Sequence, residues 1–192
     1  AELGSDQRLH ELSFDLPVER VRTRDLVEAF HCDPEARFGT GYADQLQALA
    51  VNSRGFLTGS IDLVFRDPRS GRWWVLDWKS NWIGERRSDA SESRCGPLHY
   101  HQAAMDEQMT HHHYPLQAHL YLVALHRHLG VRLPGYSLEQ HLGGYVYCFL
   151  RGMPGAEGRQ QDPEAATPGC LVETAPLGRV DALDQALGGM AE

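Results

Sequence analysis

Two apolar runs joined by a polar turn constrain this chain more than any other feature. Phe56 to Arg66 is followed by Asp67-Pro68-Arg69-Ser70-Gly71, and then by Arg72 to Ser80, rich in Trp and Val. Aromatic and β-branched residues favour pleated, half-buried strands, and Asp, Pro, Ser and Gly together are turn chemistry. The pattern predicts a β-hairpin. In its first strand Leu57, Gly59, Ile61, Leu63 and Phe65 share one face, and Thr58, Ser60, Asp62 and Val64 share the other. A four-residue loop, Pro68 to Gly71, sets Asp62 directly across from Asp77, and such opposed residues lie roughly 4.5–5.5 Å apart. A slip of one residue would send Asp62 across from the other face of its partner strand. Period two puts Asp77 and Lys79 on one face. The four-residue loop is therefore the register that gathers Asp62, Asp77 and Lys79.

Lys79 is the one lysine of the chain; the other seventeen residues of its 18 Lys and Arg are arginine. Arginine stays protonated, whereas lysine is a compact charge whose pKa its surroundings can move. Two close carboxylates repel, and one pKa rises unless a cation sits between them. Mg²⁺ suits such a pair, taking oxygen ligands from one or two carboxylates with water and phosphate. It can lower the pKa of a water and polarise a phosphoryl oxygen, while Lys79 holds the attacking water or offsets charge developing on the phosphate. These parts suit metal-assisted hydrolysis of a phosphodiester. Alone, Asp-x-Lys on a hairpin is also what a solvated cross-strand pair looks like. Gln117 and Tyr121 add to it, standing at i and i+4 on one face of a helix. All four Trp fall between residues 73 and 82, where they pack the hairpin or stack on unpaired bases.

The rest of the chain predicts one domain over residues 1–192. Leu9 to Leu16 reads as a strand ending at Pro17. Thr23 to Phe30 reads as a helix capped by Thr23, residues 32–44 as loop, and 84–98 as a mobile surface loop. His99 to Met109 is a helix, and so is Pro115 to Leu129, with Pro in its first turn and Gly130 as its stop. Gly144 to Leu150 is a strand opened by Gly143-Gly144. Residues 152–169 are loop, Leu171 to Thr174 a short strand, and Val180 to Leu187 a helix. This order gives an α/β fold, a mixed sheet with helices around it.

The net charge of −8 argues against a domain that holds nucleic acid by itself, because neutralising phosphates drives such affinity. No run approaches the roughly 18 apolar residues of a membrane span, so no membrane is expected. The four cysteines lack metal-ligand spacing, and reduced thiols in a cytoplasmic protein are expected. His111-His112-His113 is an internal tract at a helix end, where His⁺ favours the dipole.

Three blocks carry a resemblance. Gly59-Ser60-Ile61-Asp62-Leu63-Val64-Phe65 and Leu76-Asp77-Trp78-Lys79-Ser80-Asn81-Trp82-Ile83-Gly84 form the first. The second is Tyr114 to Arg127, containing Gln117 and Tyr121, and the third is His141 to Gly152. Together they resemble the C-terminal nuclease domain of the RecB family, the beta subunit of exodeoxyribonuclease V, in the PD-(D/E)xK nuclease superfamily. The resemblance implies a restriction-endonuclease-like mixed β-sheet flanked by helices. It implies Asp62, Asp77 and the Trp78 carbonyl as metal ligands, Lys79 as the catalytic lysine, Gln117 and Tyr121 near the DNA, and Glu11 as an additional acid. It further implies an Mg²⁺-dependent DNA nuclease, with Mn²⁺ or Ca²⁺ able to take the Mg²⁺ position in a structure, inside a helicase–nuclease machine for double-strand break repair. The expected partners are DNA, a helicase part of the same chain and RecC- and RecD-like subunits. The family's first metal ligand is a His in a G-x-x-x-H element, and none precedes residue 59. The expectation is a C-terminal fragment lacking the first helix of the core, with two of three side-chain ligands, weak in metal binding and in cutting. The competing reading is a non-catalytic nuclease-fold module that binds DNA or a partner subunit. A stand-alone restriction-type endonuclease is disfavoured by the acidic charge.

Overall fold

The hairpin forms in the register its turn implies. The structure, a computed structural model, describes residue 4 and residues 7–85, 94–154 and 167–188. Strands β2 (Asn52–Arg66) and β3 (Trp73–Lys79) pair antiparallel, with Arg66 against Trp73 and Leu63 against Leu76. The N–H of Asp67 bonds the Arg72 carbonyl at 2.8 Å. The Asp67 carboxylate accepts from the Ser70 hydroxyl at 2.6 Å and from the Ser70 N–H at 3.0 Å. Those donors, the hydroxyl first, hold its carboxyl below the usual range.

Strand β1 (Arg8–Arg22) pairs antiparallel with β2 along most of its length, and this is why β2 begins at Asn52 rather than Phe56. It also runs through Pro17, where the sequence predicts an end. β1 is an edge strand, and an edge tolerates a residue with no N–H to give. The sheet order is β1-β2-β3-β4-β5, with β4 (Leu142–Phe149) parallel to β3 and β5 (Cys170–Thr174) antiparallel to β4. A parallel pair needs a long crossover, and the chain supplies it with α3 (Gln102–His111) and α4 (Tyr114–Arg132). This is the mixed α/β sheet the sequence implies. Its core joins Ile61, Val64 and Val75 of the hairpin to Leu122 and Leu125 of α4 and to Tyr145 and Phe149 of β4.

Several local expectations are corrected. Helix α1 spans Thr23–His31, and Thr23 is its first residue rather than its cap. Asp25 Oδ2 takes the Arg22 N–H at 2.8 Å, while the Thr23 hydroxyl accepts the Val51 N–H at 2.9 Å, tying the helix to the start of β2. Residues expected as loop hold helix α2 (Thr40–Leu46), which buries Tyr42, Ala43 and Leu46. A side chain at Gly39, just before it, would meet the Pro34 carbonyl oxygen at 2.4 Å. Helix α4 does not stop at Gly130. It continues to Arg132 because the next residue, Leu133, is turned extended (φ −109°, ψ 107°) ahead of Pro134. Helix α3 starts three residues later than expected, after a single 3₁₀ turn over Pro97–His99. A short helix, α5 (Leu138–His141), capped by Ser137, was not anticipated. Gly143 does more than open a strand, since a side chain there would lie 2.2 Å from the Trp74 indole nitrogen. Most of the two expected loops lies outside the described residues.

The last helix, α6 (Leu177–Ala186), is pinned by a buried arginine. Arg179 donates to the Asp33 carbonyl at 2.9 Å and the Arg37 carbonyl at 3.2 Å, and lies 4.5 Å from the centre of the Phe30 ring. Its Nη1 is also 3.3 Å from His119 Nε2. A guanidinium only donates, so that nitrogen accepts, and His119 Nδ1 donates to the Pro115 carbonyl at 2.6 Å. The imidazole is thereby held neutral, and burial followed by the Arg179 charge drops its pKa to about 3. Arg127 of α4 meets Asp184 of α6 at 2.6 Å.

Candidate active site

The β2–β3 ladder opens at its far end, and the acids stand at the opening. One step beyond the Leu63–Leu76 pair, the same register sets Asp62 across from Asp77. A further ladder step would give the Trp78 N–H to the Ile61 carbonyl. Instead it goes to Asp62 Oδ2 at 2.9 Å. The N–H and C=O of a strand residue point to the same neighbour, so the Trp78 carbonyl is turned to the same gap. Trp78 is 44% exposed, which sets it apart from a packing tryptophan.

Asp77 is buried, and the Lys79 ammonium lies 2.6 Å from its Oδ2. That contact is an ion pair without hydrogen-bond alignment, and the oxygen has no well-angled donor. Burial raises the Asp77 pKa, Lys79 counteracts this, and the Asp62 charge raises it further. Lys79 also donates to Gln117 Oε1 at 2.9 Å and sits 3.9 Å from the centre of the Tyr114 ring and 5.1 Å from that of Tyr147. A cation over an aromatic face is stabilised by the ring quadrupole. Tyr147 lies beside Asp77 in the parallel register, and its hydroxyl donates to Gln117 Oε1 at 2.9 Å. The Gln117 amide donates to the Tyr121 hydroxyl at 3.1 Å. Burial, then the charges of Asp77 and Asp62, push Tyr121 up to about 12, so this phenol stays a neutral donor.

Asp62, Asp77, Lys79, Gln117 and Tyr121 are therefore linked in one group. Glu11 stands apart from it. The β1–β2 register runs through Leu12–Ile61 and His10–Leu63 and brings Glu11 opposite Asp62. Its backbone is left-handed, with φ +53°, and it is exposed. Among the described residues no three His, Cys, Asp or Glu side chains come together as a metal cluster. Sequence reasoning missed Tyr114 and Tyr147. The spacing of Tyr114 to Gln117, three residues along one helix, was the available signal for the first. Tyr147 needed the parallel β3–β4 register, which no local pattern reveals. The His tract turns the α3–α4 corner, with His113 left-handed (φ +54°) and its Nδ1 3.1 Å from the Tyr42 hydroxyl.

The donor set fits a hard divalent cation. Two facing carboxylates and a main-chain carbonyl are all oxygen ligands, and one buried carboxylate oxygen lacks a properly directed hydrogen bond.

Such an arrangement, two acids and a lysine at the splayed end of a hairpin in a mixed sheet, is that of a nuclease domain. The family model for the PD-(D/E)XK nuclease superfamily matches residues 6–188, and the chain belongs to that superfamily. Within it, the similarity runs to RecB. The chain is 41% identical over 137 residues to RecBCD enzyme subunit RecB of Escherichia coli, covering 71% of this chain and 10% of that protein. It is 37% identical over 171 residues to the subunit of Mycolicibacterium smegmatis, covering 81% of this chain and 15% of that one. Against Mycobacterium tuberculosis RecB it is 38% identical over 168 residues, covering 81% and 14%. The chain thus spans 10–15% of the length of these relatives. Among the described residues no helix is long and apolar enough to cross a membrane.

Proposed function

We propose that the chain is an Mg²⁺-dependent DNA nuclease domain that hydrolyses phosphodiester bonds. One observation carries the reading: the chain's lone lysine is gripped by Asp77, Gln117 and the Tyr114 ring beside a second carboxylate, Asp62. An ion pair with no further purpose would not need an amide acceptor and an aromatic face as well.

Asp62 and Asp77, with the Trp78 carbonyl, would hold the cation, and Mn²⁺ or Ca²⁺ would occupy the same site in a structure. The bound ion supplies Lewis-acid activation of water and phosphate. Lys79 orients the attacking water or offsets charge on the phosphate as the bond breaks. Gln117 aims the ammonium, Tyr147 fixes the Gln117 oxygen, and Tyr121 offers its hydroxyl to the DNA backbone. Glu11 is an additional acid at the rim, one strand out from Asp62.

The RecB similarity supports work inside a larger assembly, with a helicase part of the same protein and RecC- and RecD-like subunits feeding it DNA for double-strand break repair in the cytoplasm. An acidic domain needs such a feed, since its own net charge of −8 does not attract phosphate. The test is cleavage of single-stranded DNA by the full-length protein with Mg²⁺, against its Lys79→Ala variant. The reading predicts rapid cutting by the parent and little by the variant. Equal cutting by both would remove Lys79 from the chemistry.

A further inference from the structure

On the sheet face turned away from Lys79, two cysteines meet. Cys148 of β4 and Cys170 of β5 are directly opposed, with their sulfurs 3.4 Å apart. The kind of pair they form follows from the ladder. The Phe149 N–H bonds the Gly169 carbonyl at 2.7 Å, and the Ala175 N–H bonds the Gly143 carbonyl at 2.9 Å. Hydrogen-bonded pairs alternate with non-bonded ones, so Phe149–Gly169 is bonded and Cys148–Cys170 is not. Non-bonded pairs bring Cα atoms to about 4.5 Å, inside the roughly 4.4–6.8 Å range that a disulfide spans. The sulfurs need close only to about 2.05 Å, and no strand need move to another register. Neither cysteine has a part in the nuclease chemistry. Tyr147 and Phe149 flank Cys148 and point to the opposite face.

We propose that Cys148 and Cys170 form a reversible thiol–disulfide site whose co-substrate is a small disulfide of the glutathione type. Cys170, the less buried of the two, is the attacking sulfur. Its thiolate displaces one glutathione thiolate from oxidised glutathione and leaves a mixed disulfide on Cys170. Cys148 loses its proton, attacks the Cys170 sulfur and releases the second glutathione. Two thiols and one glutathione disulfide become one protein disulfide and two glutathione thiols, so atoms and electrons balance. The Cys148 hydrogen bond holds the Cys170 thiol below its usual range, which favours this order of attack. The product ties edge strand β5 to β4.

The experiment treats the purified chain with oxidised glutathione, then alkylates, digests and maps the cysteines by mass spectrometry. The expected product is a peptide pair joined through Cys148 and Cys170, two hydrogens lighter than the thiols and reversed by dithiothreitol. The melting temperature of the oxidised chain rises by about 5–10 °C, as for other loops closed by a disulfide. Cys148→Ala should stop at a glutathione adduct on Cys170, and Cys170→Ser should give neither adduct nor bridge at Cys148. Alkylation of both cysteines after treatment, or a stable adduct on Cys170 in the parent, overturns the proposal. Cleavage of DNA does not enter any of these readouts, so this test stands or falls apart from the nuclease reading.

Discussion

The Trp78 N–H donates to Asp62 Oδ2 at 2.9 Å, and a carboxylate thereby takes the donor that a continuing strand would have given to a carbonyl. The bond couples the end of the ladder to the site. Asp62 has a structural duty that asparagine can share, since an amide oxygen also accepts, and a charge that asparagine cannot replace. Asp62→Asn should keep the urea midpoint of the parent while losing metal-dependent cleavage. Asp62→Ala should lose cleavage and also about 1 kcal/mol of stability. An Asp62→Ala variant as stable as the parent would show that the hydrogen bond contributes nothing.

Lys79 tests the chemistry directly. Lys79→Ala should lower the cleavage rate by about 10²–10³ without unfolding the chain, the usual cost of losing one group that stabilises developing charge. Lys79→Arg should not restore it. The planar guanidinium is a fork rather than a point charge and cannot repeat the single ammonium contacts with Asp77, Gln117 and the Tyr114 ring. Single-turnover cleavage of a labelled oligonucleotide separates this effect from binding.

Asp77 carries the metal prediction. Its buried carboxylate is held against its own ionisation by burial and by Asp62, and a bound cation relieves both. Asp77→Asn serves as the metal-free comparison, at the cost of leaving Lys79 without its carboxylate partner. Addition of Mn²⁺ should raise the melting temperature of the parent by mass action and leave the variant unmoved. A melting curve for the parent that ignores Mn²⁺ would argue against a cation at this pair.

His119 sets a pH dependence of its own. Its folded pKa is about 3, against roughly 6.5 in an unfolded chain. Between those values the unfolded state binds a proton that the folded state refuses, so stability rises with pH. The stabilisation is fully present above about pH 6.5 and is lost as the pH falls toward 3, at up to about 1.4 kcal/mol per unit. Urea midpoints measured from pH 7 down to 5, above the carboxylate range, should fall in the parent. His119→Gln should flatten that slope.

Much of this was legible in local sequence. The Asp67 turn and the alternation of β2 give the register that sets Asp62 across from Asp77, because hairpin pairing is decided within a few residues. The Gln117–Tyr121 face followed from helix periodicity alone. What escaped prediction depends on contacts distant in sequence. Pro17 looks like a strand end until β1 is known to be an edge. Thr23 looks like a cap until Val51 is seen to claim its hydroxyl. Gly130 looks like a stop, yet Leu133 ahead of Pro134 decides where the helix ends. The aromatic seat of Lys79 was illegible for the same reason, since Tyr147 reaches it only through parallel pairing.

The parallel placement of β4 beside β3 has a consequence for folding. The carboxylates come from a hairpin that closes on a local turn, but Gln117, Tyr114 and Tyr147 arrive only when the long crossover docks. Contacts so far apart along the chain form late. Under the proposed function, a partly folded chain would hold its acids before its lysine is seated, and cleavage would be the last property to be acquired.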